Sequence, residues 1–116
     1  MEIKMPRGDI REVRFQVTDD QGNPSRVNFS EIYFTVKKSF NAQDYLFQKR
    51  LSDGDIVQLG DGDYQFTIKA RDTNELQITS YVFDIEVIYG TQIKQTFVGK
   101  LTLTNEVTFV TNEGGL

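Results

Sequence analysis

Apolar and polar residues alternate with a period of two along most of the chain, and this pattern predicts β-strands with one buried face. Helical periodicity is weak by comparison, and residues 72–77 could form at most one helical turn. The apolar members of the strongest runs share one parity and are Val13, Phe15, Val17, Ile32, Phe34, Val36, Tyr64, Phe66, Ile68, Ala70, Tyr81, Phe83, Ile85, Val87, Tyr89, Phe97, Leu101 and Leu103. We expect most of these side chains to form the core.

Two further stretches alternate less regularly. Tyr45, Phe47 and Leu51 share a parity that Lys49 interrupts, so this segment is predicted to be an edge strand. With a strand near residues 56–59 and the one that follows it, residues 45–70 are expected to form an antiparallel meander. Val107 and Phe109 indicate a last short strand.

Turn residues separate the predicted strands. Asp53-Gly54 and Asp61-Gly62 suit the positive φ angles of tight hairpin turns. Gly99 interrupts an apolar run, which predicts a bulge or a close backbone approach. Seven or eight short strands with regularly spaced turns predict an all-β, antiparallel β-sandwich.

The length of 116 residues fits one domain over residues 1–116. Residues 1–8 precede the first strong strand, so we expect an N-terminal arm there. Residues 112–116 contain two glycines and are expected to be a flexible tail. The first residues are charged and no stretch could span a bilayer, so we expect synthesis in the cytoplasm and no membrane partner.

Composition narrows the chemistry. A net charge of −4 opposes general affinity for phosphate backbones, so nucleic acid is not an expected partner. The chain has no cysteine and no histidine, which removes thiolate nucleophiles, the usual general base and the commonest metal ligand. We therefore expect no catalytic residues, no cofactor and no enzymatic activity.

The acidic turns are the first candidates for a metal site. Asp53, Asp55, Asp61 and Asp63 lie on Gly-containing turns, and calcium prefers several oxygen ligands in such a place. The spacing departs from an EF-hand loop, because Gln65 stands where a third oxygen ligand would be. Two hairpin turns explain the same residues, so we expect no bound metal.

Two strand carboxylates, Asp84 and Glu86, could suggest acid and base chemistry. Glycosidases need two carboxyl groups at a set separation across a cleft, usually from different strands. Here both occupy the polar face of one amphipathic strand, and ordinary alternation already accounts for them. We expect a solvated face.

Basic residues form two clusters, and tyrosines offer a further kind of surface. Basic side chains interleaved with aromatics can bind single strands of nucleic acid, but the aromatics here share the apolar parity. Tyr33, Tyr45 and Tyr89 could be exposed platforms for sugars or proteins. The clustered cations are Lys4, Arg7, Arg11 and Arg14 near the N-terminus, and Lys37, Lys38, Lys49 and Arg50 further along.

The order of motifs from residue 31 to residue 108 resembles the N-terminal domain of phage baseplate upper proteins and related prophage tail domains. The segments that carry the likeness are EIYFTVK (31–37), LFQK (46–49), GDGDY (60–64), DTNEL (72–76), YVFDI (81–85), TFVGKLTL (96–103) and EVT (106–108). They cover about two-thirds of the chain.

The resemblance implies an immunoglobulin-like sandwich and a structural role in a virion. It supplies no catalytic residues, and it implies partners among other tail or baseplate proteins, with room for a homo-oligomer. We therefore expect a virion structural protein of the tail or baseplate. A carbohydrate- or cell-surface-binding module on the same kind of sandwich is the alternative.

Overall fold

The computed structural model describes residues 1–105, which are mostly β-strand. One helical turn, α1 (Ala70–Thr73), is the only helix in that range. The strands are β1 (Glu2–Pro6), β2 (Arg11–Gln16), β3 (Glu31–Lys37), β4 (Phe47–Arg50), β5 (Ile56–Gly60), β6 (Asp63–Ile68), β7 (Ser80–Tyr89) and β8 (Gln92–Thr104). The expected all-β class is confirmed, whereas the expected strand at Val107 and Phe109 and the tail 112–116 lie outside the described residues.

The strands form two sheets. One has five strands in the order β1-β8-β7-β3-β4, and the other has three in the order β2-β6-β5. Neighbouring strands run antiparallel throughout, except that β1 lies parallel to β8. The larger sheet is therefore mixed, and the expectation of a purely antiparallel arrangement was wrong at this pair.

The apolar faces of both sheets form one core. Phe34 of the larger sheet meets Phe66 of the smaller sheet with ring centroids 4.2 Å apart, and Phe83 lies 5.2 Å from Phe34. The parity assignment is confirmed for most of the predicted core, because these side chains are buried as expected, whereas Tyr89 at the end of β7 is exposed and Ala70 is half-buried. Phe97 is half-buried and packs against the core from its rim, 6.4 Å from Phe15.

The N-terminal segment belongs to the larger sheet. Glu2–Pro6 forms β1, and Ile3 and Met5 lie in the core with only 3% and 2% of their surface exposed. The expected N-terminal arm over residues 1–8 was therefore wrong for Glu2–Pro6, which form a strand of the sheet. This segment alternates like the other strands, but its two apolar residues are too few to stand out from the charges around them.

The expected meander over residues 45–70 was also wrong. β4 pairs with β3 in the larger sheet, whereas β5 and β6 form a hairpin in the smaller sheet. The chain crosses between sheets at the turn that contains Gly54, whose φ is +80°. β4 is nevertheless an edge strand, as the interrupted alternation predicted.

A compact corner joins β6 to β7. Asp72 in α1 accepts a hydrogen bond from the backbone N–H of Lys69 at 2.7 Å, which caps the helical turn. Near the start of β7, the hydroxyl of Tyr81 donates to the carbonyl of Gln77 at 2.8 Å. The side chain of Tyr81 is buried, so this hydrogen bond anchors the corner to the core.

Gly99 permits a close approach, as its place in an apolar run predicted. A Cβ at this position would lie 2.5 Å from Cζ of Phe83 and would also meet the carbonyl of Met1. The register shift between β7 and β8 occurs elsewhere, at Val87 and Ile88. Gly99 therefore makes room for a core ring and for the start of the chain.

Candidate interaction surfaces

The acidic turn residues are spread over separate contacts. Asp55 accepts a hydrogen bond from the backbone N–H of Arg50 at 3.2 Å, and Asp61 pairs with Arg26 at 3.6 Å. Asp63 forms a two-pronged ion pair with the guanidinium of Arg14, and this contact lowers the pKa of Asp63. Within residues 1–105, no three side chains of His, Cys, Asp or Glu gather in a group that could hold a metal ion.

Asp84 and Glu86 lie half-buried on the outer face of the larger sheet, opposite Thr35 and Tyr33 of β3. Partial burial raises the pKa of Asp84 above its ordinary value, although the positive charge of Lys37 opposes the shift. The face is thus less solvated than alternation alone predicted. The two carboxylates project from one strand and do not face each other across a cleft.

The N-terminal basic cluster does not form one phosphate-binding surface. Arg7 donates to the carbonyl of Leu76 at 3.3 Å, and Arg11 donates to the carbonyl of Lys4 at 3.0 Å. Their guanidinium groups therefore link backbone segments. Arg14, on β2, belongs to the other sheet and carries Asp63 as its counter-ion.

The second basic cluster also divides. Lys49 points inward, and its ammonium lies 2.6 Å from the carboxylate of Asp72, with side-chain exposures of 8% and 11%. Arg50 points outward, and its guanidinium lies 5.4 Å from the ring centre of Tyr33. The pair between Lys49 and Asp72 joins the edge strand β4 to α1, and the sequence alone did not indicate it.

The three candidate tyrosines are not brought together. Tyr45 and Tyr89 are about half exposed, whereas Tyr33 is half-buried beneath Arg50. Tyr45 lies near the end of β3, because its neighbour Leu46 bonds to Val36, and Tyr89 lies beyond the start of β3. At about 3.3 Å per residue, the two ends of β3 are roughly 20 Å apart, so these tyrosines do not form one stacking platform.

An exposed apolar group lies on the outer face of the larger sheet. We call Met1, Phe40, Val82 and Val98 the apolar patch, and they border one shallow depression together with Glu2 and Lys100. Phe40 is 61% exposed, Val98 56% and Met1 55%. Isolated apolar side chains are ordinary on a protein surface, but a contiguous group is typical of a contact site.

Comparison with known proteins gives no family. No family model matches this chain, and no curated protein matches it significantly. Within the described residues, no helix is long and apolar enough to cross a membrane.

Proposed function

We propose that this chain is a non-enzymatic structural protein of a bacteriophage or prophage tail or baseplate, and that it acts through protein–protein contacts. The observation that carries the proposal is the apolar patch on the larger sheet, where the exposed side chains of Met1, Phe40 and Val98 gather around the half-buried Val82, because neighbouring apolar side chains at one surface suit a protein partner. In this role the protein is made in the cytoplasm of the bacterial host and ends in the virion.

The strand order supports an immunoglobulin-like fold as part of this proposal. In immunoglobulin domains one sheet contains strands B, E and D, and the other contains G, F, C and, in variable types, C′. The orders β2-β6-β5 and β8-β7-β3-β4 follow the same pattern. The hydrogen bond from Tyr81 to Gln77 resembles the tyrosine corner of those domains, which also lies near the start of strand F.

The virion assignment rests on the resemblance of residues 31–108 to baseplate and prophage tail domains. The fold alone hosts many unrelated functions, so the partner class comes from that likeness, and the apolar patch provides the surface. The rival carbohydrate-binding function gains little support from the separated tyrosines, because they offer single rings and no extended aromatic surface.

A co-assembly experiment tests the proposal. The purified chain is mixed with each protein encoded beside it, and complex formation is followed by light scattering across a concentration series. Val98→Lys introduces a charge into the apolar patch opposite Asp84 and is expected to weaken the complex at least tenfold. Ile93→Lys is the matched control, because Ile93 is 57% exposed on the same strand but outside the patch.

The wild-type chain and the Ile93→Lys variant are expected to bind the same partner equally. A chain that binds none of its neighbours, but that gives a glycan-array signal abolished by Tyr45→Ala or Tyr89→Ala, would replace the assembly role with carbohydrate binding.

A further inference from the structure

β2 has an open edge. The backbone N–H of Val17 donates to the carbonyl of Gly62 at 2.7 Å. This hydrogen bond establishes which residues of β2 direct their backbone groups towards β6. In an antiparallel pair the hydrogen-bonded residues alternate, so Val13 and Phe15 direct their backbone groups to β6. The N–H and C=O groups of Glu12, Arg14 and Gln16 therefore point away from β6, and no strand within residues 1–105 pairs with that edge.

The edge of the larger sheet beside β2 is blocked. β1 ends at Pro6, which has no backbone N–H, and the carbonyl of Pro6 accepts a hydrogen bond from Asp9 at 3.3 Å. The carbonyl of Lys4 is occupied by the guanidinium of Arg11. A neighbouring strand would have few free groups to pair with here.

The edges on the opposite side are interrupted as well. On β4, Asp55 occupies both backbone groups of Arg50, because its carboxylate accepts from the N–H and its own N–H donates to the carbonyl at 3.1 Å. On β5, the ladder shifts register between Gln58 and Gly60. Among the edges of the described sheets, β2 thus offers the longest regular run of free backbone groups.

We propose that a second copy of this chain pairs with the open edge of β2 through its own β2, antiparallel and related by a two-fold axis. The register places Glu12 of each copy directly opposite Arg14 of the other. Each such pair exchanges two backbone hydrogen bonds, and symmetry gives about four in total. The two three-stranded sheets become one continuous sheet across the axis.

Charge selects this register. A symmetric pair shifted by one residue on each strand would place Arg14 opposite Arg14, or Glu12 opposite Glu12, and like charges opposite each other are destabilising. In the proposed register, each guanidinium lies between Asp63 of its own chain and Glu12 of the second copy. The pair between Arg14 and Asp63 therefore extends into a row of alternating charges.

The chemistry of the edge also predicts a weak dimer. Two short strands bury an area at the low end for protein interfaces, below roughly 1,200 Å² in total. Ile10, which precedes β2 and is 71% exposed, would come opposite Gln16 of the second copy and add apolar contact. The dimer should therefore be concentration-dependent, and salt should weaken it because the charge pairs are exposed.

This inference rests on the proposed assembly role for its biological purpose, but it uses a different sheet from the apolar patch. Its failure can therefore be told apart from failure of the proposed function. A chain that stays monomeric alone and still binds a neighbouring tail protein would remove only the dimer.

The test is sedimentation equilibrium of the full chain with charge variants of β2. The wild type should shift from one chain of 13.3 kDa towards two chains as concentration rises into the high micromolar range. Glu12→Arg would place the introduced arginine opposite Arg14 of the second copy, and Arg14→Glu would place the introduced glutamate opposite Glu12. Each variant alone should therefore bind itself at least tenfold more weakly than the wild type. An equimolar mixture should form heterodimers, because every facing pair is then of opposite charge.

Melting curves of both variants verify that they are folded. If Arg14→Glu fails to fold because it repels Asp63, the Arg14→Glu/Asp63→Arg variant reverses that internal pair and replaces it in the mixture. A wild type that stays monomeric at these concentrations would overturn the proposal. So would single variants that dimerise as the wild type does, or a mixture in which heterodimers do not form.

Discussion

The turn between β5 and β6 requires glycine at position 62. The φ of Gly62 is +69°, and a Cβ there would lie 2.8 Å from the backbone nitrogen of Ser25 and would meet the carbonyl of Val17. That carbonyl accepts a hydrogen bond from the N–H of Ser25 at 2.9 Å. The backbone at Val17 and Ser25 therefore packs directly against Gly62, in the space that a side chain would need. Both the backbone conformation and the space exclude a side chain.

We expect Gly62→Ala to destabilise the fold well beyond Gly54→Ala. Gly54 has a φ of +80° but nothing within 4 Å of the added carbon, so its replacement costs only the left-handed conformation, about 1–2 kcal/mol. Gly62→Ala must also displace backbone. Urea denaturation measures the free energy of unfolding of both variants. Equal values would contradict the prediction, because they would mean that the backbone around residue 62 moves aside without losing stability.

At the scale of single residues, we also expect Asp84 to make the stability of the fold depend on pH. Burial raises its folded-state pKa, so the fold favours the neutral acid, and the stability it contributes is present at low pH and lost as pH rises through the folded pKa. Asp84→Asn should therefore raise the melting temperature at neutral pH. The gain should vanish below about pH 4, where the carboxyl is protonated in both states.

Glu86→Gln is the control for Asp84→Asn, because it removes a negative charge from the same face of the same strand. If both variants raise the melting temperature equally, relief of the net charge of −4 explains the gain, and burial of Asp84 does not.

At the scale of elements, the buried pair of Lys49 and Asp72 joins β4 to α1. Lys49→Met would leave the carboxylate of Asp72 buried without its counter-ion, which costs about 3–5 kcal/mol. The exposed Lys38 provides the control Lys38→Met, which should change little. In a double-mutant cycle with Asp72→Asn, additive losses would contradict a direct coupling between the two side chains.

We expect β1 to be necessary for the stability of the larger sheet. Deleting residues 1–6 removes Ile3 and Met5 from the core and leaves β8 with an unpaired edge, so both stability and solubility should fall. The milder Met5→Ala should cost about 2–5 kcal/mol, the range for emptying a buried site of this size. Unchanged unfolding curves for both variants would mean that β1 is not part of the folded sheet in solution.

Alternation along the sequence predicts which face of a strand is buried better than it predicts which strands pair. It placed residues such as Phe34, Phe66 and Phe83 in the core, because a strand that is polar on one side must bury the other. It did not predict that β4 pairs with β3, or that β1 lies parallel to β8, because alternation records which face of a strand a residue occupies and carries no information on which strand lies beside it.

The candidate surfaces likewise depend on contacts between separate elements, which the sequence pattern does not reveal. Lys49 interrupts an apolar parity and yet is buried, because a carboxylate from another element meets it inside the fold. The apolar patch brings Met1 and Phe40 from distant segments onto one sheet, and no local pattern marks them. Conversely, the edge of β2 that no described strand covers follows from strand order, which the alternation of side chains does not contain.

For the whole molecule, two different surfaces follow from the arrangement of strands in two sheets. The apolar patch lies on the outer face of the larger sheet and suits an unlike partner, whereas the edge of β2 belongs to the smaller sheet and suits a second copy. Because the surfaces do not overlap, one chain could use both at once. Such an arrangement suits a component that is repeated around a symmetric assembly.

Electron cryo-microscopy of purified phage or prophage particles whose genome encodes this chain tests the assembly role most directly. We expect density for the two-sheet domain at repeated positions in the tail or baseplate, with the apolar patch against a neighbouring protein. Particles with complete tails that contain no copy of this chain would contradict a structural role in the virion.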